Sequence, residues 1–159
     1  MRSSTVLYYC KMIPLRLPSA TFRIKNKEKG RVIFDPIRKK FVQLTPEEWV
    51  RQHIVNLLLS RKRIPKQLMN IEKELIVAGT KKRYDIICYN KDGTIYLIVE
   101  CKAPQISIDQ NAFDQIARYN LVLDAEYLMV SNGLDHYFCT MDYDTKAYTF
   151  IPDLPEYHL

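Results

Sequence analysis

No apolar run in this chain approaches the roughly 18–20 residues that a membrane-spanning helix needs, which excludes a helical membrane protein. Residues 1–10 (MRSSTVLYYC) hold only a short apolar stretch, and Lys11 follows where a secretory signal would carry small residues. Met12 opens MIPLRLPSA, so residues 1–11 read as an upstream start-codon artefact. The four cysteines (Cys10, Cys88, Cys101 and Cys139) show no CxxC or CxxxH spacing, which argues against a zinc site or a disulfide framework. Reduced thiols in a cytoplasmic protein are the expectation, with Cys88, Cys101 and Cys139 packed in the core. There is no internal repeat, no low-complexity tract and no long linker.

What is present is the composition of one ordinary globular domain: 159 residues, 47% apolar and 26% charged. The formal net charge of +6 conceals an asymmetry. Residues 1–102 carry 22 Lys and Arg against 9 Asp and Glu, whereas residues 103–159 carry 2 against 9. The basic excess gathers in residues 23–40, 61–66 and 81–83. Where these segments converge, Arg38, Lys39, Lys40, Lys81, Lys82 and Arg83 would make a phosphate-binding surface of weak sequence preference. Taken singly, each cluster is more commonly a solvated face; the three together weigh nucleic acid and a solvated surface about equally.

Along the chain, residues 1–20 read as an extended arm and residues 21–44 as a basic β-hairpin appendage whose turn closes at Gly30. A further short strand is expected at 38–42. Thr45-Pro46-Glu47-Glu48 is a capping box with Pro at the first helical position, opening a helix to about Ser60. Strands are predicted at 68–77, 84–89 and 95–102. A second capping box, Ser107-Ile108-Asp109-Gln110, opens a helix to about Leu123, and strands at 126–131, 137–142 and 147–151 close the domain. Residues 45–159 thus form one α/β (α+β) domain.

The chemistry lies on the two central strands. Asp85 stands near the start of one, and Glu100-Cys101-Lys102 ends the next. Alternation places Glu100 and Lys102 on one face, with Leu97, Val99 and Cys101 on the other, beneath a helix. Two carboxylates held close together are costly without a cation between them, and hard oxygen ligands suit Mg²⁺ or Mn²⁺. A neighbouring lysine can polarise a water for attack on phosphorus. The same short pattern recurs at Asp144-Thr145-Lys146, but in a hairpin turn without an upstream strand carboxylate. Glu100 and Lys102 instead sit in an apolar strand, where two charges are expensive without a purpose, so an ordinary edge ion pair is the lesser alternative.

RYDIICYNKDGTIYLIVECKAP, followed by QIARYN, resembles the PD-(D/E)XK nuclease superfamily. TPEEWVRQ, SNGLDHY and the element order make it more closely similar to the N-terminal nuclease domain of type I restriction enzyme R subunits. The resemblance implies a restriction-endonuclease-like αβββαβ core, a mixed sheet flanked by helices. It implies DNA phosphodiester hydrolysis, with Asp85, Glu100 and the Cys101 carbonyl as metal ligands and Lys102 as the catalytic lysine. Gln115 and Tyr119 match its Q-x-x-x-Y motif, on one helix face where they would touch DNA or orient Lys102. Glu48 matches a first-helix glutamate aimed at the metal, or else serves only the capping box; Gln52 shares its face and would reach the site or DNA. The departures are Tyr84 where the superfamily name implies Pro, and no P-loop after the domain, which implies a separate motor or restriction-modification subunit. Glu74, His53 and His136 read as a solvated strand residue, a packed helix residue and a loop residue. Two rivals stand beside this reading: a non-catalytic nucleic-acid-binding subunit, and an interaction protein docking through its acidic 103–159 surface. Edge strands in the arm and closing hairpin make a homodimer a further expectation.

Overall fold

The computed structural model describes residues 12–158, so the expectations for residues 1–11, Cys10 included, lie outside the described residues. A basic N-terminal segment forms an antiparallel meander: β1 (Ile24–Lys27), β2 (Gly30–Asp35) and β3 (Lys40–Gln43), in that order. The expected hairpin is there, with the third strand paired to it as a full member of the sheet. Asp35 makes the β2–β3 turn by accepting the N–H groups of Ile37 and Arg38 on Oδ1, at 2.7 and 2.8 Å.

The rest follows the α–β–β–β–α–β order that the resemblance implies: α1 (Pro46–Ser60), β4 (Met69–Val77), β5 (Thr80–Tyr89), β6 (Ile95–Cys101), α2 (Gln110–Asn120) and β7 (Tyr127–Ser131). β8 (His136–Asp142) and β9 (Ala147–Ile151) extend the sheet to six strands in the order β4-β5-β6-β7-β8-β9. Only the β6–β7 pair is parallel, with α2 as its crossover, so the sheet is mixed.

Two elements are bounded differently from expectation, their starts for local reasons. β5 begins at Thr80 rather than near 84, because Ala78 (φ 48°) and Gly79 (φ 78°) close a two-residue turn and pairing resumes at once, Val77 opposite Thr80. Lys81, Lys82 and Arg83 therefore stand on a strand. The second helix starts at Gln110, since Asp109 and not Ser107 is its cap: Asp109 Oδ1 accepts the Ala112 N–H at 2.8 Å. It ends at Asn120, short of Leu123.

Alternation along β5 and β6 feeds two cores. Val50, Ile54, Val55 and Leu58 of α1 pack with Ile86, Leu97, Val99 and Cys101, as the strand pattern predicted for that face. Phe113 and Ala117 of α2 pack with Ile87, Ile98, Leu128 and Val130. Each fully buried aliphatic side chain contributes roughly 1.5–3 kcal/mol, so the two helices are clamped to opposite faces of β5–β6. The arm at 12–20 docks on the loop after β7: Arg16 N–H donates to the Gly133 carbonyl at 2.8 Å. A Cβ on Gly133 (φ 83°) would meet Leu15 at 2.7 Å, which explains the glycine. No helix among the described residues is long and apolar enough to cross a membrane.

Candidate metal centre

Asp85 and Glu100 stand where the β5–β6 ladder runs out, one step beyond the last paired residues, Ile86 and Val99. The unpaired end is put to use: Asp85 Oδ2 accepts the Cys101 N–H at 2.7 Å, tying the two strands together through a side chain. Its other oxygen, Oδ1, accepts from Arg51 Nη2 at 2.7 Å.

Glu100 differs. Burial first, and the Asp85 charge second, push its carboxyl up to about 7, against the opposing pull of Lys102 and Lys82. Neither Glu100 nor Lys102 takes part in an ion pair among the described residues. Lys102 is held by its backbone, whose N–H donates to the Ser131 carbonyl at 2.8 Å. Lys82 lies beside them, its Nζ 4.0 Å from the Tyr119 ring centroid and 4.9 Å from that of Tyr84. Its ammonium is held below the usual lysine range by burial, with Lys102 adding to that and Glu100 opposing it. Tyr119 is thus brought to the site through Lys82 while remaining 55% exposed. Gln115, one turn earlier on α2, is exposed.

On the other side of Asp85 lies a buried ion network. Arg51 donates to Asp85, to Glu47 Oε1 at 2.9 Å and to Glu48 Oε2. Arg38 donates to Glu48 Oε1 and Asp35 Oδ2, both at 2.6 Å, and to Glu72 Oε2 at 3.0 Å. Gln52 Nε2 bridges Asp35 and Glu48 at 2.9 and 2.8 Å. The carboxylates raise both arginines above the ordinary guanidinium value although burial opposes it. An unbroken chain of charged hydrogen bonds therefore runs from the meander to β6 through Asp35, Arg38, Glu48, Arg51 and Asp85.

This network corrects three sequence expectations. Arg38 was expected against DNA and Gln52 against DNA or the site; both are engaged inside the network, and Gln52 is buried. Glu48 was given a metal or a capping-box role. Thr45 Oγ1 does cap the Glu48 N–H at 3.0 Å, yet the Glu48 carboxylate turns to two arginines and Gln52 instead of back to Thr45. Lys39, Lys40, Lys81 and Arg83 are exposed as a phosphate-facing role requires. Sequence reasoning missed Arg51, Asp35 and Glu72. The signal for Arg51 was available, since Glu47 and Glu48 precede it at helical i, i+4 and i, i+3 spacing.

The donors suit a hard divalent cation in kind. Glu100 is raised by burial first and by the neighbouring Asp85 carboxylate second, and a buried pair of carboxylates is what a divalent ion relieves. Among the described residues no three Asp, Glu, His or Cys side chains converge as a ready-made cage. Two carboxylates with the Cys101 carbonyl would leave the remaining positions to water, the arrangement Mg²⁺ tolerates best.

Residues 46–155 match a protein family described as the type I restriction enzyme R protein N terminus. Among solved structures, the chain is similar to a fragment described as an HsdR subunit of a type I restriction enzyme from Vibrio vulnificus YJ016, at 18% identity and a TM-score of 0.47. That alignment covers 70% of this chain and 24% of the fragment, so the chain spans about a quarter of its length. No curated protein matches.

Proposed function

Because this chain belongs to the family of type I restriction enzyme R protein N termini, we propose that it is a metal-dependent DNA nuclease domain hydrolysing phosphodiester bonds. The observation that carries the reading is Glu100: a largely buried carboxyl beside Asp85, raised to about 7, which like the neighbouring Lys102 has no ion-pair partner among the described residues. A fold with no use for these charges would pair them, as it pairs Asp35, Glu48 and Glu72 with Arg38.

In this reading Asp85 and Glu100, with the Cys101 carbonyl, hold Mg²⁺ or Mn²⁺, which when bound supplies Lewis-acid polarisation of the scissile phosphate. Lys102 orients the attacking water and offsets negative charge as it develops on the phosphate oxygens. Lys82, held by Tyr119, keeps a second positive charge at the same opening. Gln115 lies along the exposed face of α2 where a DNA strand would pass. Lys39, Lys40, Lys81 and Arg83 would contact backbone phosphates. A separate motor or other restriction-modification subunits are the partners this family suggests, and a homodimer through an edge strand is compatible with the open sheet edges.

One observation favours a second reading, that of a non-catalytic nucleic-acid-binding subunit: Asp85 already has a cation, Arg51, against it. Incubation with supercoiled plasmid and Mn²⁺ separates the two. The nuclease reading expects nicked or linear product, and the binding reading expects retarded but intact plasmid.

A further inference from the structure

Arg51 occupies a place that a metal would want. Its side chain is 4% exposed, and Nη2 divides itself between Asp85 Oδ1 at 2.7 Å and Glu47 Oε1 at 2.9 Å. Glu72 Oε1 lies 3.8 Å from the same nitrogen. Nε is buried with no hydrogen-bond partner among the described residues. A guanidinium serving only to brace α1 on the sheet would satisfy all of its donors, because a buried unpaired N–H is costly.

Asp85 has one oxygen to offer. Oδ2 is committed to the Cys101 N–H that joins β5 to β6, so Oδ1 is the atom any cation would approach, and Arg51 is on it. Two positive charges cannot share that oxygen without strong repulsion in a poorly hydrated site. Resting on the nuclease reading above, we propose that Arg51 is a positioning residue that competes with a divalent cation for Asp85. The site then has two exclusive forms: the arginine-held form seen here, and a cation-ready form in which Arg51 has turned outward to Glu47 and Glu72.

The neighbourhood is built for that exchange. Glu47 is 46% exposed and Glu72 34%, so both acceptors face the rim toward which Arg51 would move. Glu72 has a left-handed backbone (φ 51°), an unfavourable conformation for glutamate. It is skipped in the β4–β5 ladder opposite Asp85, between the pairs Ile71–Ile86 and Lys73–Tyr84. That irregularity leaves its carboxylate with the arginines. Glu48 would stay compensated when Arg51 leaves, because Arg38 and Gln52 both hold its Oε1, at 2.6 and 2.8 Å.

The test is Mn²⁺ binding by isothermal titration to the full chain, together with the rise in Tm that Mn²⁺ produces. Arg51→Met keeps the apolar stem and removes the charge. It is expected to bind Mn²⁺ at least tenfold tighter than the wild type and to gain more in Tm on adding Mn²⁺. Combining it with Asp85→Asn should cancel both gains. An Arg51→Met protein that is folded by circular dichroism yet binds Mn²⁺ no tighter overturns the competition. Arg51→Lys, which keeps a charge but loses the forked contact, serves where Arg51→Met does not fold; it should tighten binding several-fold, and unchanged affinity overturns the proposal equally. Mn²⁺ binding by neither wild type nor any variant overturns the competition and the nuclease reading together. Tight binding that is constant across the Arg51 series overturns only the competition.

Discussion

The two flanks of Asp85 handle charge in opposite ways. On the α1 side, Asp35, Glu48 and Arg51 are buried, Arg38 is partly buried, and the four are matched acid to base, with Gln52 donating to Asp35 and Glu48. On the α2 side, Glu100 and Lys102 sit near each other without an ion pair, and Lys82 rests on aromatic rings. The first flank is the usual remedy for burying ions, with each one neutralised and hydrogen-bonded. The second leaves charges without ion-pair partners among the described residues, which stability alone does not explain but the proposed chemistry on a phosphodiester would.

The largest effect that sharpens this contrast concerns activity. Lys102→Ala should abolish plasmid cleavage, by at least two to three orders of magnitude, while leaving Mn²⁺ binding by titration largely intact. Parallel loss of Mn²⁺ affinity would contradict the division between ligands and lysine.

Next comes stability on the paired flank. Glu48→Gln leaves two buried guanidinium groups facing an amide, and should cost about 3–5 kcal/mol in urea unfolding. Arg38→Met should cost a similar amount, since it strands Asp35 and Glu48. A loss under about 1 kcal/mol for either would show that the network is solvated.

The same Glu→Gln change on the open flank should act in the other direction. The folded-state pKa of Glu100 is raised from near 4.5 to about 7, so folding favours its protonated form. Its contribution is therefore fully present below about 4.5 and is lost as the pH rises through about 7. In EDTA, Glu100→Gln should match the wild type near pH 4.5 and exceed it at pH 8, by on the order of 1–3 kcal/mol. Equal pH slopes for the two proteins would remove the claim that Glu100 is held at a cost.

The smallest effects belong to the rim. Lys81→Ala with Arg83→Ala should change stability by less than about 0.5 kcal/mol. DNA affinity should fall, and the slope of log K against log salt should flatten by about 0.9 for each phosphate contact removed. An unchanged slope in fluorescence anisotropy would take these residues off the DNA path.

The sequence made the open flank easier to read than the paired one. Alternation along IYLIVECK was enough to put Glu100 and Lys102 on one face and Leu97, Val99 and Cys101 under α1, because a strand's period is strict. The element order was legible for similar reasons: Thr45-Pro46 starts a helix by local chemistry, and Ala78-Gly79 closes a turn by local conformation. The ion network was legible only in its helical part, Glu47, Glu48 and Arg51; the bonds that tie it to the sheet join residues 34 positions apart, Arg38 to Glu72 and Arg51 to Asp85. An exposed-looking Arg38 in a run of cations gives no local sign that it is buried against acids from α1 and β4. Glu48 misled for the same reason: its spacing from Thr45 satisfies a capping box, and only the tertiary approach of two arginines diverts its carboxylate.

The most direct measurement is cleavage of supercoiled plasmid by the wild type in Mg²⁺ and in Mn²⁺, beside a folded Asp85→Ala protein. The account predicts nicked or linear DNA from the wild type only, lost on adding EDTA. Intact plasmid in both lanes, with DNA still bound, would contradict it and leave a chain whose Asp85 serves Arg51 and not a metal.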